Sequence, residues 1–157
     1  MTGMRQMCGW VVVGAMVVMT GCAETGGSGG AMKSGSMAGP SLYERLGKKE
    51  AIVAVVDDFV ARVAADSRIN GKFANANIPR LKQMLVDQVC EASGGPCKYT
   101  GRDMKATHAG MAITSAQFDA LVGDLVATLN KFKVPAREQG ELLSVLGPMK
   151  KDIVTAM

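Results

Sequence analysis

The sequence has few aromatic side chains, and its basic residues form no run. It contains four Phe, two Tyr and one Trp among 157 residues, and its formal net charge is +4. Proteins bind nucleic acid through basic surfaces interleaved with aromatic side chains that stack on bases. A chain with so little of both is not expected to bind nucleic acid.

Histidine is rarer still, because His108 is the one histidine of the chain. Zinc takes three or four nitrogen, sulfur or oxygen ligands, so a zinc site is not expected. The sequence has no glycine-rich phosphate loop of the Walker or dinucleotide type. Neither Ser93 nor Ser115 is set in a nucleophile elbow, which argues against a Ser-His-Asp hydrolase.

The one notable hydrophobic run, Cys8–Met19, is too short to span a bilayer comfortably. Arg5 precedes the run and the residues MTGC, ending at Cys22, follow it. A basic start, a short apolar region and small residues are typical of an export signal, and MTGC resembles the lipobox of bacterial lipoproteins. We therefore expect residues 1–21 to be a lipoprotein-type signal peptide. The alternatives are an ordinary signal peptide that is cut near Ala23, or an anchor that is not cleaved.

Lipid on the Cys22 sulfur would hold the exported chain at a membrane, facing the periplasm or the cell surface. Residues 22–40 are rich in Gly, Ser and Ala and have almost no large apolar side chains except Met. Such a segment cannot bury enough surface to offset its ordering entropy, so we expect a flexible tether. Ser41 and Glu44 have the spacing of a capping box, which predicts a short helix at the start of a folded domain over residues 41–157.

Apolar residues at spacings of three and four predict that this domain is all-α. One periodic segment covers residues 49–65, and Asp103 is placed to cap a short helix that carries Met104, His108 and Met111. Further helices are predicted to start near Pro79, at Thr114–Ser115 and after Val134–Pro135, with Phe132 facing inward in the second of these and Gly147–Pro148 bending the last. The irregular middle of the chain is what a ligand pocket would require and a simple bundle would not.

His108 lies on the apolar stripe formed with Met104 and Met111, so it is predicted to point inward. One interpretation is a core histidine bonded to a backbone carbonyl. The other is an iron ligand, because a haem needs one neutral imidazole, an apolar slot and a few basic groups at its edge. The flanking thioethers suit a large flat ligand, and the facing helix offers an apolar surface with no polar partner in view.

Cys90 and Cys97 lie on either side of a Gly-Gly-Pro turn. In an exported chain this pair is predicted to form a disulfide, which would pin the end of one helix against the loop leading to His108. The alternative is two unpaired core thiols.

Residues 41 to about 155 resemble the group I truncated haemoglobins of bacteria. The resemblance rests on SLYERLG from Ser41, on Phe59 and Phe73, on the Gly94-Gly95 break and above all on YTGRDMKATHAGM from Tyr99 to Met111. It implies a two-over-two helical sandwich around haem b, with His108 binding iron from the proximal side. The CEASGGPC segment containing Cys90 and Cys97 resembles an insertion in a subset of these globins.

The resemblance also shows departures on the distal side of the implied haem. Where many members have a Tyr after the second-helix Phe, this chain has Val60, and where they have Gln or Leu and then Gln, it has Leu81 and Leu85. A hydrogen bond to bound O2 is worth about 1–3 kcal/mol. We therefore expect an apolar distal pocket that releases O2 quickly, with CO and NO less affected.

Taken together, the sequence predicts a haem-binding module that reversibly binds O2, NO or CO, with haem redox chemistry or a cofactor-free helical lipoprotein as alternatives. Partners are expected to be the gas ligand, the membrane and an unidentified reductase, and the chain is expected to be a monomer. Arg102, Lys105 and Tyr99 are candidate partners of the haem propionates. The residues predicted to contact the cofactor are Phe59, Phe73, Leu81, Met84, Leu85, Tyr99, Met104, Lys105 and Met111.

Overall fold

The computed structural model of the chain describes residues 39–156, which are mainly helical, with a long irregular connection at residues 93–103. The predicted signal peptide, the lipidation site at Cys22 and nearly all of the predicted tether lie outside these residues. The helices are α1 (Leu42–Arg45), α2 (Lys48–Ala65), α3 (Ile78–Ala92), α4 (Met104–His108), α5 (Ser115–Lys131), α6 (Ala136–Leu146) and α7 (Lys150–Ile153), with 3-10 turns at Asn70–Phe73 and Gly147–Met149.

Polar side chains fix where four of these helices begin. Ser41 and Glu44 form the predicted capping box at α1, and Thr114 forms a second one at α5. The side chains of Asn77 and Asp103 accept backbone N–H groups in the first turns of α3 and α4. Each cap satisfies amide groups that have no partner within the helix, so the starts predicted at Ser41, Asp103 and Thr114 are confirmed.

The centre of the fold is α2, which packs against both α3 and α5, while α1 contacts α2 and α6. The α2 residues that turn inward recur at helical spacing and are buried: Ile52, Val56, Phe59, Val60 and Val63. Val86 and Cys90 of α3 and Ala120 of α5 join the same cluster. The periodicity read from the sequence therefore places the core correctly along α2, whereas Val86, Cys90 and Ala120 were not among the residues predicted to face inward.

A second, smaller apolar cluster fixes the short helices at the other end of the domain. It is built on Ile113, Phe118 and Ile153, with Met104 and Met149 packed against it. The N–H groups of Thr155 and Ala156 both donate to the carbonyl of Ile113. This ties the last residues of the described chain to the loop between α4 and α5, and α4 itself packs against α7.

Three details differ from the sequence predictions. Met111 lies beyond α4, which ends at His108, because Gly110 adopts a positive φ of 76° that terminates the helix. Phe132 was predicted to face inward but is 40% exposed; it is the C-cap residue that follows the last turn of α5, whereas Leu129 one turn earlier is buried. The last predicted helix is not merely bent but divided by the 3-10 turn at Gly147–Met149, as a proline after a glycine promotes.

Within residues 39–156, no helix has both the length and the apolar character needed to cross a bilayer.

Candidate functional site

A cavity of about 420 Å³ lies among the helices, within the size range of small-molecule and cofactor sites. Aliphatic and aromatic side chains from α2, α3, α5 and α6 form most of its wall, and Phe73 of the first 3-10 turn and Met149 of the second complete it. The polar lining is confined to Gln88, His108 and the pair Asp119 and Lys150. Such a slot favours a large, flat, mainly apolar ligand.

His108 is the last residue of α4 and lines this cavity. Its Nδ1 lies 2.7 Å from the carbonyl oxygen of Met104, one helical turn earlier. Because a carbonyl only accepts, Nδ1 carries the proton in this bond and Nε2 keeps its lone pair. A second partner that fixes the tautomer is the usual arrangement behind a metal-binding histidine.

The loop before α4 is fixed by contacts of its own. The hydroxyl of Tyr99 donates to the carbonyl of Arg102 at 2.9 Å, and Asp103 then caps α4. Gly101 lies under the Tyr99 ring so closely that a Cβ at this position would come within 2.3 Å of the ring hydroxyl oxygen. A larger residue at position 101 would have to displace the Tyr99 ring, and with it the hydrogen bond that closes the loop before α4.

The structure pairs Cys90 with Cys97 as a disulfide, with the two Cα atoms 5.7 Å apart. Cys90 is wholly buried at the end of α3, and a Cβ on Gly95 would come within 2.7 Å of its sulfur. The bridge therefore joins the end of α3 to the loop that leads, through Tyr99, towards α4. This is the arrangement that the sequence predicts for the pair.

The three residues predicted to form the distal side, Val60, Leu81 and Leu85, all line the cavity. Phe59 and Phe73 line it as well, and Phe59 and Val60 are also part of the buried core. None of these five side chains can donate a hydrogen bond. The wall that they form is apolar throughout.

Other predicted contact residues lie outside the lining. Met84 is half-buried on α3. Tyr99 uses its hydroxyl within its own loop, and Lys105 is exposed on α4. Met111 packs against the small apolar cluster at Ile113 rather than against the cavity. Their predicted contacts with a cofactor stay predictions.

Sequence reasoning missed Gln88, the polar residue that α3 turns into the cavity. It lies three residues after Leu85 and seven after Leu81, so helical spacing alone would have placed it on the same face. Its amide Nε2 lies 3.3 Å from the sulfur of Met149 and 3.6 Å from that of Met104. The facing helix therefore does present one polar partner, contrary to expectation.

Asp119 of α5 and Lys150 of α7 were also missed, and they line the cavity as an ion pair with 2.6 Å between the charged atoms. The Lys150 ammonium lies 5.4 Å from the centre of the Phe118 ring, a cation–π distance. These residues are far apart in sequence, and no motif connects them. Only the packing of α7 against α5 brings them to one place.

Two carboxyl groups outside the cavity lining, Asp66 at the end of α2 and Asp124 on α5, have shifted pKa values. The Arg68 guanidinium and backbone N–H lower the pKa of Asp66 to about 2. Burial and the neighbouring Asp66 charge raise the pKa of Asp124, which is 8% exposed. One carboxylate oxygen of Asp124 has no hydrogen-bond partner within the described structure. This pair affects stability rather than the chemistry of the cavity.

A helical sandwich whose core holds an apolar cavity, lined by an imidazole that is bonded through Nδ1 to a backbone carbonyl, is typical of the globin class of proteins. The family model described as bacterial-like globin matches residues 41–155, nearly all of the described structure. The chain belongs to this family and, within it, to the group 1 truncated haemoglobins.

Relatives and solved structures agree on this assignment. A group 1 truncated haemoglobin of Mycolicibacterium paratuberculosis is 38% identical over 115 residues, which are 73% of this chain and 85% of that protein. The crystal structure of the Fe(III) truncated haemoglobin of Tetrahymena pyriformis superposes with a TM-score of 0.71 at 31% identity, covering 73% of this chain and 98% of that one. A two-over-two haemoglobin of Synechococcus with covalently attached haem superposes with a TM-score of 0.69 at 32% identity, covering 73% of this chain and 98% of that one. The predicted all-α, two-over-two fold is confirmed.

Proposed function

We propose that this chain binds haem b in the cavity and that His108 is the iron ligand. The observation that carries the proposal is the Nδ1 bond of His108 to the Met104 carbonyl, which leaves Nε2 available on a residue that lines the cavity. The cavity volume and its apolar wall fit a porphyrin in the same place. When bound, haem supplies an iron atom that takes up O2, NO or CO reversibly.

Different side chains around the cavity would make different kinds of contact with the haem. Phe59, Phe73 and Leu81 supply apolar contact area and exclude water. Met104, on the face of α4 that carries His108, supplies an adaptable thioether contact. Lys105 and Arg102 are exposed beside α4, where cations can pair with propionates in solvent.

The distal wall determines how long a gas ligand stays. Val60, Leu81 and Leu85 cannot donate to a polar ligand, so O2 gains no hydrogen bond from these positions. We infer that O2 dissociates quickly and that the dissociation of CO and NO is affected less, because these ligands depend less on such a bond. Reversible gas binding with weak O2 retention suits sensing, transfer or scavenging better than storage.

The site of action is proposed to be outside the cytoplasm. The MTGC segment ending at Cys22 supports lipid attachment to that sulfur after removal of residues 1–21. The Cys90 and Cys97 pair supports the same location, because disulfides persist in oxidising compartments. Mass spectrometry of the mature protein tests this proposal, since a chain that lacks a diacylglycerol on Cys22 would refute the anchor.

The optical spectrum of protein produced with ample haem tests the cofactor proposal. We expect a Soret band in the ferric and ferrous forms, with the signature of one axial histidine, and the same band shifted after CO is added. A chain that folds, as judged by its helical circular dichroism, yet shows no Soret band would refute the proposed function.

A further inference from the structure

Lys72 makes contacts that the gas-binding proposal does not use. It lies in the 3-10 turn Asn70–Phe73, and its ammonium donates to the carbonyl of Met111 at 2.7 Å and to that of Ala112 at 3.4 Å. These carbonyls are separated from Lys72 by about forty positions of sequence and belong to the loop that follows α4. The side chain therefore links two distant parts of the fold.

The loop that Lys72 holds is unusual in its backbone. Ala112 has a φ of 46° and Gly110 a φ of 76°, so two of the four residues after His108 are in the left-handed region. That region is unfavourable for alanine and persists where surrounding contacts impose it. The Lys72 ammonium supplies such contacts, through a part-buried bond to the Met111 carbonyl and a longer, exposed one to the Ala112 carbonyl, and a charged donor is stronger than a neutral one.

The same loop is also held by the end of the described chain. The carbonyl of Ile113 accepts N–H groups from both Thr155 and Ala156, at 3.0 and 3.1 Å. The loop is therefore fixed by two separate segments, by the Lys72 cation and by backbone groups of residues 155 and 156. Since the loop starts directly after His108, its position constrains the helix that carries the imidazole.

We propose that Lys72 is a positioning residue for His108. The ammonium fixes the loop after α4, and the adjoining Phe73 lines the cavity, so one short turn sets both a wall of the cavity and the placement of the iron ligand. This inference rests on the proposed function. Removing the cation frees the loop, loosens α4 and lets the imidazole sample several orientations towards the iron.

The test compares four full-length proteins. Lys72→Met removes the cation and keeps an unbranched apolar stem, and Lys72→Arg keeps a cation with several donors. Lys49→Met is the matched control, because Lys49 is exposed and its side chain has no ion pair or hydrogen bond among residues 39–156. The measurements are the iron–histidine stretching band of the ferrous protein by resonance Raman, and the rate of haem transfer to an excess of an acceptor protein.

Lys72→Met is expected to shift and broaden the iron–histidine band and to release haem about tenfold faster, the factor that one charge-assisted hydrogen bond supplies. Lys72→Arg should recover most of the wild-type band, and Lys49→Met should match wild type. An unchanged band in Lys72→Met would overturn the proposal, even if its stability fell.

Hydrogen exchange in the haem-free chain separates this inference from the proposed function. The Met111 N–H donates to the His108 carbonyl at 3.2 Å, so its exchange rate reports the order of the loop. We expect faster exchange in Lys72→Met and no change in Lys49→Met. Absence of a Soret band in every variant would refute the cofactor, whereas unchanged exchange at Met111 would refute the role of Lys72 alone.

Discussion

The two walls of the cavity are held in different ways. The distal wall belongs to α2 and α3, long helices whose inward faces merge with the main core at residues such as Val56 and Val86. The proximal wall is α4, a five-residue helix with no buried residue. Helices shorter than about 12 residues are marginal without outside support, so α4 must be fixed by contacts from its surroundings.

Beside the packing of Met104 in the small apolar cluster and of α4 against α7, several of those contacts are polar or covalent. Asp103 caps the start of α4, Tyr99 closes the loop before it, and Lys72 holds the loop after it. The disulfide fixes the chain further upstream. Packing thus determines the distal wall, where apolar substitutions of similar volume are tolerated. Individual directional bonds add to the packing of the proximal wall, where a single change can displace His108, the proposed iron ligand.

The largest expected effect comes from removing His108, the proposed proximal ligand. In His108→Gly, haem affinity should fall by more than about 100-fold, since even groups that only orient a metal ligand are worth about 10–100-fold. Added imidazole should restore the Soret band by filling the vacated space. The distal truncation Leu81→Ala is the matched control and should keep the wild-type axial ligation. Unchanged haem affinity and spectrum in His108→Gly would show that the iron ligand is elsewhere.

The disulfide should provide the next largest effect. Replacing Cys90 and Cys97 together by alanine should lower the free energy of unfolding by roughly 2–3 kcal/mol through loop-closure entropy. Urea titration measures this change. Because Cys90 is wholly buried, the substitution also removes packing atoms, and the reduced wild-type chain separates the two contributions. Equal stability of the oxidised and reduced chains would show that the disulfide does not stabilise the proximal wall.

A donor placed on the distal wall should slow O2 release. Leu85→Gln can offer an amide N–H inside the cavity, and a hydrogen bond of about 1–3 kcal/mol corresponds to a roughly 5- to 150-fold slower dissociation. Leu85→Met keeps a similar volume without a donor and is the control. Stopped-flow dissociation of O2 and CO is the measurement, with CO changing less. Equal O2 rates in the two variants would mean that position 85 does not face the ligand.

The same difference between the walls explains what the sequence could predict. Helical spacing placed Phe59, Val60, Leu81 and Leu85 on inward faces, because local periodicity decides which side of a long helix is buried. His108 was predicted to point inward because it lies on an apolar stripe within a recognisable segment, and it does line the cavity. These inferences depend on short-range patterns, which a single sequence records well.

Contacts between distant segments left no such record. The link from Lys72 to Met111 joins residues 39 positions apart, and Asp119 meets Lys150 across 31 positions. Neither pair has a motif or a periodicity, so only the folded chain brings it together. Gln88 is a different case. Its helical spacing from Leu81 and Leu85 was visible in the sequence, but it was not predicted because that face was expected to be wholly apolar.

A carboxyl group outside both walls offers a smaller effect with a definite pH dependence. The pKa of Asp124 is raised by burial and by Asp66, although Arg68 and Arg62 oppose this. The folded chain therefore binds this proton more tightly than the unfolded chain, and the stability that depends on it falls as pH rises from about 3.8 through the folded pKa. Asp124→Asn should remove that loss and raise the free energy of unfolding by about 1 kcal/mol at pH 7.

Urea titrations of wild type and Asp124→Asn from pH 3 to 8 measure this difference. The gain should be greatest near neutrality and vanish on acidification, where Asp124 is protonated in both states. Asp66 acts in the opposite sense, because its pKa of about 2 makes it stabilising above about 3.8 and ineffective as pH falls to 2. A constant difference across this range would show that Asp124 does not titrate differently in the folded chain. The haem spectrum should stay unchanged throughout.

The smallest expected effect concerns the one point where a distal helix contacts the proximal one through a polar group. The Gln88 amide of α3 reaches the sulfur of Met104 in α4 at 3.6 Å, and thioethers accept hydrogen bonds weakly. Gln88→Leu should therefore change the unfolding free energy of the haem-free chain by no more than about 0.5–1 kcal/mol. A double-mutant cycle with Met104→Leu isolates the pair from its separate packing effects. Coupling well above this range would mean that the proximal helix is fixed through the distal wall, and the two walls would then form one unit.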